Sequence, residues 1–293
     1  MIKIVTIIGA RPQIIKAAAL SRAIKNKFSN AITEIIVHTG QHYDENMSQV
    51  FFDELGIPAP NYNLNVGSGS HGKQTATMIA GIEEILMQEK PNAIVLYGDT
   101  NSTLAGAVAA SKIHVPVIHI EAGLRSFNKA MPEEINRIMC DHVSTLLFSP
   151  TKTGYQNLLN EGFKENNKPY TANNPKIYHS GDVMYDNSLH FSEVAEQRTS
   201  IIAKNNLQKD TFILATIHRN NNTEEPLRLN ALFSALYKIS EQNQLDVLLP
   251  LHPRTNKLLE TNLSPDLYQK VKAGKHFKII PPVSFLEMIA LEK

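Results

Sequence analysis

Along the first half of the chain, apolar runs of strand length alternate with stretches whose apolar residues recur at helical spacing. Ile2–Ile8 is an apolar run rich in β-branched residues, the pattern of a strand buried on both faces. Gly9-Ala10-Arg11-Pro12 ends it. Residues 14–24 then read as a helix, with Pro12 near its first turn, where a missing N–H costs nothing. Residues 34–38, Ala93–Tyr97, 115–120 and 146–148 read as further strands, and 75–88 and 102–112 as helices between them. Strand, helix, strand repeated in this way predicts a parallel sheet covered on both faces.

The second half is sparser. Residues 160–176, rich in Asn, Lys and Pro, have the composition of an exposed connection or a domain boundary. Strands follow at 212–216, 247–250 and Phe277–Ile280, with helices at 227–241 and 284–293. A doubly wound domain usually has about five or six strands. The pattern therefore predicts two Rossmann-like α/β domains, at 1–175 and 176–293, the second of them incomplete.

Composition narrows the function. The chain has 293 residues with 29 basic and 28 acidic side chains, a net charge of +1. That balance argues against a general nucleic-acid binder, which needs a basic excess to displace counterions. It leaves room for a small anion held by a few local cations. The single cysteine, Cys140, excludes an internal disulfide and a multi-Cys zinc site. No segment reaches the roughly 20 apolar residues of a membrane span. The apolar core from Ile4 to Ile8 is too short for a signal peptide. The expectation is a cytoplasmic protein with no membrane or nucleic-acid partner and no metal.

In open α/β sheets, ligands bind beyond the carboxyl ends of the strands, and several polar clusters fall there. Arg11 and Lys16 follow the first strand, where a helix N-terminus would add free N–H groups and a positive dipole end for a diphosphate. The bland alternative is a strand-to-helix turn with solvated charges. Asp99, in YGDT, sits at the next strand end, where Asp99 or Thr100 could simply cap the following helix. Glu121, in HIEAGLRS, should lie near Asp99 at the same sheet edge. Paired carboxylates can hold different protonation states, as acid–base chemistry requires. Arg125 could instead neutralise Glu121 in a structural pair. Glu133, in MPEEINR, suits a helix start as well as a catalytic role. His218 and Arg219 follow a strand of the second half and would face an interdomain cleft, and His252 with Arg254 follows another. The His residues lack metal-ligand spacing. The Gly67–Gly72 loop reads as a connector or a lid, and Gly181-Asp182 with Asp186 as the hinge into the second domain.

These clusters, in this order, closely resemble the non-hydrolysing UDP-N-acetylglucosamine 2-epimerase family. The resemblance rests on GARPQIIK, HTGQHYDENM, YGDTNSTLAG, HIEAGLRSF, MPEEINR, SPT, GDVMYD, ATIHRNNNT and LHPRT, and runs from the first residue to the last. It implies two Rossmann-like domains facing a cleft, as in GT-B glycosyltransferases, a UDP-sugar substrate, no cofactor and a homodimer. It implies that Asp99, Glu121 and Glu133 are the essential acids, and that His218, Arg11 and Lys16 hold or stabilise UDP. Arg125, Arg219 and His252 are implied as further substrate contacts, and Gln41-His42 matches the start of a regulatory substrate site. The resemblance also implies a longer second domain carrying a D-S-G-G segment, so weak UDP binding and slow turnover are expected of this chain. GDVMYD and ATIHRNNNT are similar to the branch acting on UDP-2,3-diacetamido-2,3-dideoxyglucuronate, the alternative substrate. A GT-B glycosyltransferase and a non-catalytic UDP-sugar-binding remnant are the readings from other classes.

Overall fold

A computed structural model describes residues 1–40, 52, 55–218 and 220–293. The chain divides into two compact units, Met1–Asn187 and Ser188–Lys293.

The first unit is built on a seven-stranded sheet in which every adjacent pair of strands is parallel. Its strands are β1 (Ile2–Ile8), β2 (Ile32–His38), β3 (Tyr62–Asn63), β4 (Ala93–Tyr97), β5 (Val117–Ile120), β6 (Leu146–Ser149) and β7 (Lys176–His179). They lie in the order β3-β2-β1-β4-β5-β6-β7. The helices are α1 (Arg11–Ala23), continued by a π-helical turn at Ile24–Phe28, then α2 (His71–Glu89), α3 (Asn101–Lys112), α4 (Pro132–Val143) and α5 (Lys152–Asn160). Helix α6 (Val183–Arg198) begins in this unit.

The sheet forms because its strand residues have nowhere better to go. Val5, Ile7, Val37, Ile94 and Leu96 are fully buried against Met78 and Ile82 of α2 and the alanines of α3. Complete burial of one such branched side chain is worth about 1.5–3 kcal/mol. Ala105, Ala107, Ala109 and Ala110 are all fully buried. Small side chains let α3 approach the sheet closely, and a methyl group at Gly106 would meet Leu96 at 2.6 Å. Cys140 lies buried and unpaired in the same core.

The second unit holds a three-stranded parallel sheet, β10-β9-β8, made of β8 (Phe212–Leu214), β9 (Asp246–Pro250) and β10 (Phe277–Ile280). Its helices are α7 (Ile201–Lys204), α8 (Asn220–Thr223), α9 (Pro226–Asn243), α10 (Pro253–Asn262), α11 (Pro265–Ala273) and α12 (Phe285–Glu292). Leu229, Phe233, Val247, Leu249, Leu259 and Phe277 form its core.

Two expectations need correction. The first unit does not end at 175. Residues 176–179 return as β7 and pair with β6, so the Asn- and Lys-rich stretch before them is a loop within the unit, which runs on to Asn187. The segment 181–186, read from the sequence as the hinge into the second domain, lies directly before the boundary at Asn187. The second unit is more helical than its sequence pattern predicts, because Pro253 and Pro265 each open a short helix. Among the described residues no helix is long and apolar enough to cross a membrane.

Candidate active site

The strand order reverses at β1, which pairs with β2 on one side and β4 on the other. Ligands of open α/β sheets collect at this kind of switch point, outside the carboxyl ends of the strands. Two chain turns meet there. One is Gly9-Ala10 between β1 and α1, where Pro12 sets the first helical turn. Gln13, buried beneath it, accepts from the N–H groups of Gly9 (2.9 Å) and Ala10 (3.2 Å). The same amide donates to the Tyr97 carbonyl and the Thr103 hydroxyl, each at 3.0 Å. One side chain thus ties the turn after β1 to the turn after β4. Gly9 is required by close approach, since a methyl group there would lie 2.1 Å from the Thr39 hydroxyl and 2.2 Å from that of Ser102.

Lys16, one turn into α1, forms an ion pair with Glu121 at the end of β5. Both side chains are mostly but not wholly buried, at 13% and 22% exposed. Gly98 makes the space for this pair. A methyl group on it would lie 2.9 Å from Oε2 of Glu121 and 3.2 Å from Nζ of Lys16. Gly98 also takes a left-handed φ of 62°, and Glu121 itself has φ 78°. A bulky residue held there costs on the order of 1–3 kcal/mol, a strain that persists only where the surroundings impose it.

Asp99 follows Gly98 and pairs with Arg137 of α4. It does not cap α3; Thr100 does, accepting from Thr103 N–H. Arg137 also reaches Glu134 at 2.9 Å. Glu134 is buried and accepts from the N–H groups of Ser126 (3.0 Å) and Phe127 (2.9 Å). Burial pushes its carboxyl up, but those backbone donors and Arg137 outweigh it and hold it below the usual carboxylate range. Glu133, its neighbour, stays exposed in the first turn of α4. Asn136 fixes the Asp99 carbonyl at 2.9 Å.

Arg125 does not pair with Glu121. Its buried guanidinium lies 2.8 Å from Asp141 and 2.6 Å from Glu161, so it belongs to the framework beneath the site. Asp141, fully buried, also meets Nδ1 of His119 at 2.6 Å and accepts from Gly123 N–H at 3.1 Å. Burial opposes the charges of both His119 and Asp141. The Cys140 thiol and Asp141 outweigh it at His119, holding the imidazolium well above the ordinary histidine value. His119 and Arg125 outweigh it at Asp141, holding the carboxylate below its ordinary value. Among the described residues no group of three or more His, Cys, Asp or Glu gathers as metal ligands.

Comparison with known proteins shows the family. A family model described as UDP-N-acetylglucosamine 2-epimerase matches residues 24–293. The chain belongs to the UDP-N-acetylglucosamine 2-epimerase family. A Methanococcus maripaludis protein named UDP-N-acetylglucosamine 2-epimerase homolog is 49% identical over 99% of this chain and 76% of its own. The UDP-2,3-diacetamido-2,3-dideoxy-D-glucuronate 2-epimerase of Pseudomonas aeruginosa is also 49% identical, over 99% of this chain and 75% of its own. A crystal structure of the Methanocaldococcus jannaschii UDP-GlcNAc 2-epimerase, in complex with UDP-GlcNAc and UDP, superposes with a TM-score of 0.78 at 43% identity. It covers 99% of this chain and 76% of that one.

In this epimerase-family chain the remaining sequence candidates fall as follows. Arg11 opens α1 and is exposed. His218 is exposed beyond the end of β8, where its carbonyl accepts from Asn222 at 3.3 Å. His252 is exposed and caps α10, its Nδ1 accepting from Arg254 N–H at 3.2 Å, while Arg254 pairs with Glu224. Gln41, His42 and Arg219 lie outside the described residues. Sequence reasoning missed Gln13, His119, Arg137 and Asp141. Gln13, His119 and Arg137 lay inside the motifs GARPQIIK, HIEAGLRSF and MPEEINR, and Asp141 lay outside all of them.

Proposed function

We propose that this chain is an isomerase that interconverts UDP-N-acetylglucosamine and UDP-N-acetylmannosamine by inverting C2. The reading is carried by the Lys16–Glu121 pair beside Asp99 at the sheet's switch point. The C2 proton is not next to a carbonyl and is weakly acidic. The reaction therefore proceeds by loss of UDP together with that proton, giving 2-acetamidoglucal, and UDP re-adds with a proton returned to the opposite face. Such a step needs acid–base groups at C2 and cations on the departing diphosphate. Asp99, Glu121 and Glu133 are assigned to the acid–base work. Arg11, Lys16 and His218 are assigned to UDP, with Arg219 and His252 as further substrate contacts. Arg125 is removed from that group by its buried pairing with Asp141 and Glu161. A homodimer, implied by the family resemblance, and a cytoplasmic location, expected from the sequence reading, complete the proposal.

The N-acetylglucosamine reaction is supported by the family model and by the liganded relative from Methanocaldococcus jannaschii. A second substrate, UDP-2,3-diacetamido-2,3-dideoxyglucuronate, is favoured by the 49% identical Pseudomonas aeruginosa relative. The test is proton NMR of the chain with each UDP-sugar in deuterated water. Deuterium entering C2 as the manno epimer appears is expected, with kcat falling about 10³-fold in Glu121→Gln. Preference for the uronate would move the substrate to the second reading. Absence of exchange with both sugars would overturn the proposal.

A further inference from the structure

We propose that His119 is a positioning residue, one that locks the turn bearing Asp99 to the turn bearing Glu121. The inference rests on the epimerase reading above and goes beyond it, since His119 touches no substrate position assigned there.

His119 lies in β5 opposite Leu96 of β4 and is fully buried. Its two ring nitrogens face two acceptors. Nδ1 lies 2.6 Å from Oδ1 of Asp141, and Nε2 lies 2.8 Å from the carbonyl oxygen of Gly98. A carbonyl cannot donate. The Arg125 guanidinium on its other oxygen holds Asp141 as a carboxylate, so it does not donate either. Both ring nitrogens therefore carry hydrogen, and the ring is an imidazolium. The buried Cys140 thiol also faces it.

The outcome is a continuous bridge beneath the site. It runs from the Gly98 carbonyl through His119 to Asp141, and from Asp141 to the Gly123 N–H. Gly98 immediately precedes Asp99, and Gly123 lies two residues after Glu121. Three residues of these turns, Gly98, Glu121 and Gly123, hold left-handed backbone conformations, with φ of 62°, 78° and 80°. The carbonyl of Gly98 is directed at the imidazolium in that conformation, and the Gly123 N–H at the carboxylate. His119 stands in β5 two residues before Glu121, so its bond to the Gly98 carbonyl ties the two turns directly while Asp141 holds the charge of the ring, and that bond sets the spacing of two acids that must act on one carbon. Displacement of a catalytic group by about 1 Å can cost on the order of 100-fold in rate.

Two substitutions divide the bridge. His119→Gln keeps a donor at the position of Nε2, toward Gly98, and gives up the bond to Asp141. His119→Asn keeps a donor near Nδ1, toward Asp141, and gives up the bond to Gly98. The experiment measures kcat and KM for C2 epimerisation and solvent-deuterium exchange in both variants. The expected result is a kcat loss of about 100-fold in His119→Asn and of no more than about ten-fold in His119→Gln, with KM within about three-fold of wild type in each. In a background of Asp99→Asn, His119→Asn should cost almost nothing more, because the acid it positions is already disabled. Equal losses in the two variants, a rise in KM with kcat kept, or additive losses in the double variant would overturn the proposal.

Should His119→Asn fail to fold, His119→Gln decides alone, because it keeps the donor toward Gly98, and a kcat loss of about 100-fold there would overturn the positioning role. Should the wild-type chain epimerise neither UDP-sugar, the reading of function falls and crystal structures decide the positioning alone. A displaced Gly98-Asp99 turn in His119→Asn, unmoved in His119→Gln, would support it. A turn unmoved in both would refute it.

Discussion

The carboxyl edges of the two sheets are wired differently. In the first unit the polar residues at the strand ends are spoken for by one another: Gln13 by two turns, Lys16 by Glu121, Asp99 by Arg137, and His119 by Asp141 and Gly98. In the second unit the residues that follow the strands are exposed or occupied in starting helices, as His218 and His252 are. Preorganised dipoles and charges cost no reorganisation when a reaction occurs, so acid–base chemistry favours the first arrangement. On the proposed reading His218 grips a flexible diphosphate, a task that gains less from being fixed beforehand.

This contrast can be broken most severely at Asp141. Its removal in Asp141→Ala leaves the imidazolium of His119 and the guanidinium of Arg125 facing a buried gap. The expected loss of stability is about 3–5 kcal/mol, read by chemical denaturation. A loss below about 1 kcal/mol would mean that water or a neighbouring group replaces the carboxylate, and that the wiring contributes little.

The next effect is one of pH. Burial holds the His38 imidazole at about 4, against its ordinary 6.5. Below pH 6.5 the unfolded chain takes up a proton that the folded chain refuses. The contribution of His38 is therefore fully present above pH 6.5 and declines as pH falls toward about 4, by on the order of 3 kcal/mol in all. Denaturation midpoints measured across that window should fall on acidification in wild type and fall less in His38→Asn. Parallel slopes would show that this part of the first unit opens to water more readily than its burial implies.

The smallest expected effect sharpens the contrast from the other side. His252→Ala removes the side-chain acceptor at the start of α10 and should cost about 1 kcal/mol or less, with His252→Asn restoring most of it. Thermal unfolding of the two variants is the measurement. A loss of several kcal/mol would mean that the second edge is as tightly wired as the first.

Much of this was legible in the chain, and the parts that were not share a cause. Ile2–Ile8, Ala93–Tyr97 and Phe277–Ile280 match the expected strands residue for residue, because each is an apolar run stopped by a polar or proline-bearing turn. Strand β7 escaped because only Ile177 of its four residues is buried, which leaves no alternation to read. The site acids were visible from their place after strands. Their partners were not. Lys16 and Glu121 stand 105 residues apart and meet only because the strand order brings β1, β4 and β5 side by side. Arg125 was matched to the wrong acid for a related reason. The left-handed backbone at Glu121 accompanies a carboxylate turned toward Lys16, while Arg125 finds Asp141 and Glu161, one in α4 and the other just after α5. His119 read as one polar residue in a strand, and nothing in the periodicity separates a charged strut from an ordinary strand residue.

The conformation of Glu121 has a consequence for how such chains drift. At φ 78° a glycine would be at ease, and a glutamate is not. Selection for stability and selection for the reaction therefore pull this position in opposite directions. A copy released from the need to catalyse gains from glycine at this turn only if Lys16 changes too, because the mostly buried ammonium would otherwise lose its partner.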